Sequence, residues 1–136
     1  MADHTPQRVD VITPEGPVFE GEAEIVVVPG EAGQLGIMAN HEPLISTLKP
    51  GELHVTDMEG KRHEFATDGG FVETRKNETT VLVGQAVPRA DIDAAAARIR
   101  LDEAEQALER ARGGDGDIYA AEREAAFADV LVRISG

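Results

Sequence analysis

The sequence predicts an α+β fold: an N-terminal antiparallel β-sandwich followed by a C-terminal antiparallel α-helical hairpin. Short runs rich in valine, isoleucine and phenylalanine fill residues 8–87, and Gly, Pro, Asn or Asp separate them. After residue 88 the composition shifts to Ala, Glu, Arg and Asp, and the apolar residues recur at spacings of three and four. We therefore expect a sandwich domain at residues 1–88 and a helical hairpin domain at residues 89–136.

The first domain is expected to contain about eight to ten short strands. Its clearest strand segments are RVDVI, AEIVVV, ELHVT, RHEFAT, GGFVETR and TTVLVG. The turns DMEGK and KNE join two pairs of these segments. That many strands are too many for one open sheet at this length, so two packed layers are predicted, with inward side chains alternating along each strand.

The second domain is predicted to contain two helices. The first runs from about residue 92 to residue 112, with Asp91 as its N-cap and Gly113 at its end. The second follows the N-cap Asp117 and reaches about residue 134. Because the link between them is short, the helices are expected to pack antiparallel.

The apolar seams of both helices consist mostly of alanine. They comprise Ala94, Ala97, Leu101, Ala104, Leu108 and Ala111 in the first helix and Ile118, Ala121, Ala125, Ala128 and Val132 in the second. An alanine buries about one methyl group, worth on the order of 0.8 kcal/mol. The seams therefore suggest a hairpin that can detach from the sandwich, while a permanently docked hairpin remains the alternative.

The charge balance excludes two classes of partner. The chain has 26 acidic and 13 basic residues, a net charge of −13. Such a chain repels nucleic acid phosphates and anionic lipid at long range, so neither nucleic acid binding nor direct membrane insertion is expected. No apolar run approaches the roughly 20 residues of a spanning helix, and no signal peptide begins the sequence, so a cytoplasmic protein is predicted.

Glycines at positions 30, 33 and 36 imitate the spacing of a phosphate-binding loop. Such a loop needs a helix N-terminus after it, and here the segment IMANHEPLI follows without a helical pattern or a lysine. We therefore assign these glycines to turns with positive φ.

No catalytic or metal-binding residues are predicted. The histidines at positions 4, 41, 54 and 63 lack metal-ligand spacing, and the chain has no cysteine. Neither Ser46 nor Ser135 lies in a nucleophile motif. An enzyme that uses His41 and Glu42 is one alternative, and a small-molecule binding module with the helices as a lid is another.

Three blocks, residues 9–37, 40–55 and 68–86, resemble the epsilon subunit of bacterial F-type ATP synthases. They read VDVITPEGPVFEGEAEIVVVPGEAGQLGI, NHEPLISTLKPGELHV and DGGFVETRKNETTVLVGQA. The order of these blocks and of the helices after them carries the resemblance, which extends over nearly the whole chain.

The resemblance implies a non-catalytic rotor subunit in the central stalk of a proton-translocating ATP synthase. In that family the sandwich binds the gamma subunit and sits on the c-ring, at the cytoplasmic face of the cell membrane. Gln34 falls where relatives often carry an acidic residue facing the c-ring, and His41 and Ser46 fall near gamma. The hairpin of this family can extend toward the alpha and beta subunits and inhibit ATP hydrolysis.

Some relatives bind ATP through the motif Ile/Leu-Asp-x-x-Arg-Ala at the start of the first helix. Here Ile92, Asp93 and Ala97 match, but Ala96 replaces the arginine. Alanine supplies no charged donor for a triphosphate, so weak or absent ATP binding and no cofactor are expected. Arg98 or Arg100 could take the place of the missing arginine. The second helix has two arginines, at positions 123 and 133, so mild inhibition is predicted.

Overall fold

Nine strands and two α-helices lie within residues 5–135, which are the residues that the computed structural model describes. The strands are β1 (Gln7–Thr13), β2 (Gly16–Gly30), β3 (Gly33–Met38), β4 (Leu44–Leu48), β5 (Gly51–Asp57), β6 (Arg62–Thr67), β7 (Gly70–Arg75), β8 (Glu78–Val83) and β9 (Ala86–Pro88). A 3₁₀ turn (Arg89–Asp91) leads to α1 (Ala94–Arg112) and α2 (Ile118–Ser135). Residues 1–4 of the predicted first domain and residue 136 lie outside the described part.

The strands form a two-layered sandwich, as predicted. Their order is β1-β8-β7-β4-β2-β5-β6-β9, and β3 pairs with β2. The long strand β2 joins the layers because its first half pairs with β1 and its second half with β3 and β5. Between the layers lies a core of mostly β-branched side chains, including Val9, Val26, Val55, Val72 and Val81, all 0% exposed.

One strand pair differs from the predicted antiparallel arrangement. β1 and β8 run parallel, with Val9 opposite Thr79 and Val11 opposite Val81. Parallel neighbours need a long connection. Most of the sandwich separates these two strands in the chain, so no hairpin imposes the antiparallel direction.

The first helix begins later than predicted, and the predicted cap Asp91 is wrong. Asp91 ends a 3₁₀ turn in which the Ile92 N–H donates to the Arg89 carbonyl oxygen at 3.2 Å, and Ile92 is then extended. Asp93 caps α1 instead, because its carboxylate accepts from the N–H groups of Ala95 and Ala96.

The other predicted helix ends are confirmed. Asp117 caps α2 by accepting from the N–H groups of Tyr119 and Ala120 at 3.0 and 3.2 Å. The Gly113 N–H bonds carbonyl oxygens in the last turn of α1, and Gly114 takes the positive φ of 96° that reverses the chain. Tight spacing of the two helices depends on small side chains, and Ala97, Ala104, Ala111 and Ala128 are all buried.

The expectation of a lightly held hairpin overlooked the second face of α2. Four large side chains on that face pack against the outer side of the β5–β6 layer and against Ala66 of β6. They are Phe127, Val130, Leu131 and Ile134, none more than 8% exposed. Two of the predicted seam residues, Ala94 and Ile118, are exposed, since each is the first residue of its helix. The hairpin is thus docked on the sandwich through a second apolar core.

Candidate interaction surfaces

The layer opposite the hairpin presents an open apolar surface. Directly opposed residues share a face of a sheet, and Leu82 lies opposite both Ile12 and Phe71. Ile45 lies opposite Glu73, two residues along β7 from Phe71, and so shares the same face. We call Ile12, Ile45, Phe71 and Leu82 the apolar patch.

Two members of the apolar patch are strongly exposed: Ile45 at 70% and Phe71 at 45%. The hairpin does not shield them, because α2 packs against β5 and β6 on the other layer. Contiguous exposed apolar side chains on a folded domain mark a surface that meets another protein.

The glycine-rich segment of the second strand pair forms a tight hairpin tip. Glu31 and Ala32 link Gly30 of β2 to Gly33 of β3, which has a φ of 136°. A Cβ atom on Gly30 would lie 2.8 Å from the Gly33 carbonyl oxygen, so this turn requires glycine there. The assignment of all three glycines to turns with positive φ is correct for Gly33 but wrong for Gly30, which ends β2, and for Gly36, which lies within β3. The segment after this turn is a strand and not a helix N-terminus that could receive a phosphate.

The structure brings two of the three predicted interface residues together. Gln34 at the exposed hairpin tip and Ser46 on β4 line one groove of about 370 Å³, together with Leu35 and Leu44. His41 lies beyond the other end of β3, where its Nδ1 is 2.7 Å from the Glu42 carbonyl oxygen. Their roles toward the c-ring and gamma stay predictions.

The residues of the predicted ATP motif take part in local contacts. The Asp93 carboxylate lies 3.0 Å from the Ala95 nitrogen and 3.1 Å from the Ala96 nitrogen. Ala97 is buried in the second apolar core, and Ile92 packs against it. An alanine methyl group at position 96 is exposed where the motif has an arginine.

Arg100 is already bound within the hairpin. Its Nε and Nη2 atoms each lie 2.8 Å from a carboxylate oxygen of Glu124, and its guanidinium carbon lies 5.0 Å from the Phe127 ring centroid. The hydrogen bond to Glu124 raises the pKa of Arg100 above its ordinary value. The donors of this arginine therefore bind the second helix instead of facing a ligand, while Arg98 is exposed.

A cleft of about 620 Å³ opens where the hairpin leaves the sandwich. Lys61, Arg62 and Arg89 line it. The Glu64 carboxylate lies between the two arginines, 3.6 Å from Arg62 Nε and 3.4 Å from Arg89 Nη1. These ion pairs fasten the 3₁₀ turn at the root of the hairpin to β6.

The two strand histidines face opposite sides of the sheet. His54 lies opposite Glu64, whereas its neighbour in the chain, Val55, lies opposite His63. His63 Nε2 is 3.0 Å from an Asp57 carboxylate oxygen, and this hydrogen bond lowers the pKa of Asp57. Burial lowers the pKa of His54, whose Nδ1 is shielded and has no hydrogen-bond partner among residues 5–135.

Within residues 5–135, no three histidine or carboxylate side chains converge in a way that could hold a metal ion. Neither α1 nor α2, the two α-helices of this part of the chain, has the length and apolar character needed to cross a bilayer.

The architecture matches solved chains of ATP synthases. A chain of the Euglena gracilis mitochondrial ATP synthase has a TM-score of 0.75 at 21% identity, covering 96% of this chain and 82% of that one. A chain of the Tetrahymena thermophila mitochondrial ATP synthase has a TM-score of 0.64 at 15% identity, with coverages of 99% and 100%. The fold therefore belongs to the class of β-sandwiches followed by a C-terminal helical hairpin.

Sequence similarity identifies the family within this class. Residues 7–89 match the family model described as ATP synthase, Delta/Epsilon chain, beta-sandwich domain. The ATP synthase epsilon chain of Xanthomonas campestris pv. campestris (strain B100) is 44% identical over 93% of this chain and 89% of its own length. The epsilon chain of Xanthomonas oryzae pv. oryzae (strain MAFF 311018) is 42% identical over the same shares. The chain belongs to the family of ATP synthase epsilon chains, which confirms the resemblance drawn from the sequence.

Sequence reasoning missed the apolar patch and the docking face of α2. The docking face was readable, because Phe127, Val130, Leu131 and Ile134 follow the spacing of one helical stripe. The apolar patch could not be predicted from the sequence, because the alternation of side chains along β4 and β7 does not show which outer face of the sandwich the hairpin covers.

Proposed function

We propose that this epsilon chain is a non-catalytic rotor subunit of the central stalk in a proton-translocating ATP synthase. In this proposal it passes the rotation of the c-ring to the gamma subunit, and its hairpin inhibits ATP hydrolysis. The observation that carries the proposal is the apolar patch, an open surface on the layer that the hairpin leaves free. Family membership supplies the assembly in which this surface finds its partner.

The gamma subunit is the partner that we assign to the apolar patch, with Ser46 and His41 near the same contact. The c-ring is assigned to the β2–β3 tip through Gln34. Because Gln34 is uncharged, its contact with the c-ring would be a neutral hydrogen bond, which is weaker than the charge-assisted bond of an acidic residue. The subunit would then lie at the cytoplasmic face of the cell membrane without entering the bilayer.

We divide the chain into a binding domain at residues 1–88 and a regulatory hairpin at residues 89–136. In the docked pose seen here, the apolar face of α2 is covered by the sandwich. An extended hairpin would expose that face to the alpha and beta subunits. Arg133 is paired with Asp129 at 3.0 Å, so few free cations remain on α2 for an acidic partner, which supports mild inhibition.

ATP binding by the hairpin is proposed to be weak or absent. Position 96 lacks the arginine, and Arg100 binds Glu124 through two hydrogen bonds. A calorimetric titration of the full chain with ATP is expected to show no micromolar binding. Micromolar affinity would contradict this part of the proposal.

The rotor role is tested by measuring association with the gamma subunit from the same organism on gel filtration. The full chain is expected to comigrate with gamma, and Ile45→Asp is expected to abolish comigration by placing a charge in the apolar patch. Met38→Asp is the matched control, because Met38 is 48% exposed on the other layer. Loss of comigration in both variants, or in neither, would contradict the assignment of the patch.

The regulatory role has a separate test. Phe127→Ala weakens the docked pose, so ATP synthase assembled with this variant is expected to hydrolyse ATP more slowly than the assembly with the unaltered chain. Equal rates, with the variant fully incorporated, would count against inhibition by an extended hairpin.

The cleft at the root of the hairpin is the feature that favours a small-molecule binding module as a second candidate function. Lys61, which is exposed and lies outside the Glu64 ion pairs, suits an anionic ligand. A ligand that raises the Tm of the isolated chain in a saturable manner, without any partner protein, would support this function.

A further inference from the structure

The chain contains two aspartyl-glycyl sequences, Asp68-Gly69 and Asp115-Gly116, and the fold places them in different surroundings. An aspartate before glycine is prone to isomerise, because glycine has no side chain to hinder attack of its amide nitrogen on the aspartate side chain. The first sequence lies between β6 and β7, and the second lies in the link between α1 and α2. Since the reacting residues are the same, their surroundings decide how readily each sequence reacts.

The fold restrains both reacting groups at the first sequence. The Asp68 carboxylate accepts from the Gln85 N–H at 2.8 Å and from Gln85 Nε2 at 3.3 Å. The Gly69 N–H donates to the hydroxyl oxygen of Thr67 at 3.1 Å, and Thr67 is 0% exposed. A Cβ atom on Gly69 would lie 2.7 Å from the Leu48 carbonyl oxygen, so this glycine is closely surrounded. Reaction between the two groups would break three hydrogen bonds at a crowded position.

The fold leaves both reacting groups free at the second sequence. Within residues 5–135, neither the Asp115 carboxylate nor the Gly116 N–H has a hydrogen-bond partner. Both residues are exposed, and a Cβ atom on Gly116 would meet no atom within 4 Å. The Asp115 N–H donates to the Arg110 carbonyl oxygen at 3.0 Å, which fixes its backbone but not its side chain. The carboxyl group can therefore turn toward the next amide without losing a contact.

We propose that Asp115 is a site of isoaspartate formation, and that the altered link is a substrate for an isoaspartyl carboxyl methyltransferase. In the first step the Gly116 nitrogen attacks Cγ of the protonated Asp115 carboxyl group. A C–N bond forms, and the carboxyl OH leaves with the amide proton as water, which gives a succinimide. This step needs no oxidant, reductant or metal ion.

In the second step water opens the succinimide at one of its two carbonyl carbons. Cleavage of the bond between the nitrogen and Cγ restores the aspartate. Cleavage of the bond between the nitrogen and the main-chain carbonyl carbon leaves the chain connected through Cβ and Cγ, which is isoaspartate. The main-chain carbonyl carbon then belongs to a free carboxylate.

Isoaspartate lengthens the link between the helices. It adds one backbone carbon directly before Gly116 and Asp117, and the Asp117 carboxylate caps α2 through the N–H groups of Tyr119 and Ala120. The free carboxylate takes a methyl group from S-adenosylmethionine and becomes a methyl ester. The succinimide then re-forms as methanol leaves, and its hydrolysis returns part of the chain to aspartate. This inference concerns the chain by itself and does not depend on the proposed rotor role.

The test incubates the purified full-length chain at neutral pH for several weeks and follows both sequences by peptide mapping. Isoaspartate is expected to accumulate at position 115 at least about tenfold faster than at position 68, where three hydrogen bonds oppose the reaction. A purified isoaspartyl methyltransferase is expected to label the peptide that contains position 115. Equal accumulation at the two positions, or no label on that peptide, would overturn the proposal.

Two controls assign the reaction to this residue and its difference from Asp68 to the fold. Asp115→Glu keeps the exposed negative charge but requires a larger ring that closes far more slowly, so the label on this peptide should disappear. A label that persists in the variant would mean that another residue reacts. In denaturant the protection of Asp68 is lost, and the two positions of the unaltered chain should isomerise at similar rates. A difference that persists unchanged in denaturant would contradict the inference, because the fold would then not be its cause.

Discussion

Phe127 is the side chain on which docking of the hairpin depends most. It is 1% exposed, packs in the second apolar core, and lies beneath the Arg100 guanidinium. Replacing a buried phenylalanine with alanine costs about 3–5 kcal/mol through lost burial and the cavity left behind. We expect Phe127→Ala to destabilise the docked hairpin by about 3–4 kcal/mol, in the lower part of that range, because neighbouring side chains at this interface can relax.

Native-state hydrogen exchange measures this effect residue by residue. A loss of about 3–4 kcal/mol raises the population of the open hairpin roughly 10²- to 10³-fold, and the protected amides of α1 and α2 should exchange faster by that factor. Amides in the core of β2 and β5 should be unchanged, since the sandwich has its own core. Ile99→Ala is the control, because Ile99 is 63% exposed on α1.

Two results would contradict this prediction for Phe127→Ala. Equal acceleration in the sandwich strands would mean that the sandwich and hairpin unfold as one cooperative unit. Unchanged exchange in α1 and α2 would mean that the second apolar core does not hold the hairpin in place.

Three further predictions concern other parts of the chain. Gly70→Ala should lower stability by about 3 kcal/mol or more in denaturant unfolding, because its Cβ would collide with the Leu82 carbonyl oxygen; a loss below 1 kcal/mol would contradict this. The Arg100→Ala and Glu124→Ala double-mutant cycle should give a coupling energy of about 0.5–1 kcal/mol, since both side chains are 39% exposed, and zero coupling would contradict it. Burial depresses the pKa of His54 below its ordinary 6.5, so protonation favours the unfolded chain and the free energy of unfolding should fall as pH drops below about 6.5. His54→Gln should flatten the dependence of this free energy on pH, and an unchanged slope would contradict the role of His54.

Local patterns in the sequence were sufficient to predict a β-sandwich followed by two helices, and the strand pairs around DMEGK and KNE. Contacts between distant segments were not predictable from those patterns. The parallel β1–β8 pair is one such contact, and it depends on how the two layers close. Asp91 and Asp93 are both suitable N-caps, and the choice follows from a 3₁₀ turn whose Arg89 is paired with Glu64 of β6.

The candidate surfaces also depend on contacts between distant segments, which local patterns do not predict. Alternation marks Phe71 as outward-facing, but its exposure depends on the hairpin packing against the opposite layer. The hydrogen bond from the Asn40 N–H to Asn77 Oδ1 joins residues 37 positions apart, so no local pattern indicates it. The docking face of α2 was predictable from its local spacing of apolar residues. It was missed because the expectation of a lightly held hairpin considered only the alanine seam on the other side of that helix.

Photo-cross-linking from position 45 in the assembled ATP synthase of the source organism tests whether the apolar patch contacts the gamma subunit. A photoreactive residue in place of Ile45 is expected to cross-link to the gamma subunit, while one in place of Met38, on the other layer, is expected not to. Cross-linking of position 45 to the alpha or beta subunits, or to no subunit in an intact assembly, would contradict the account.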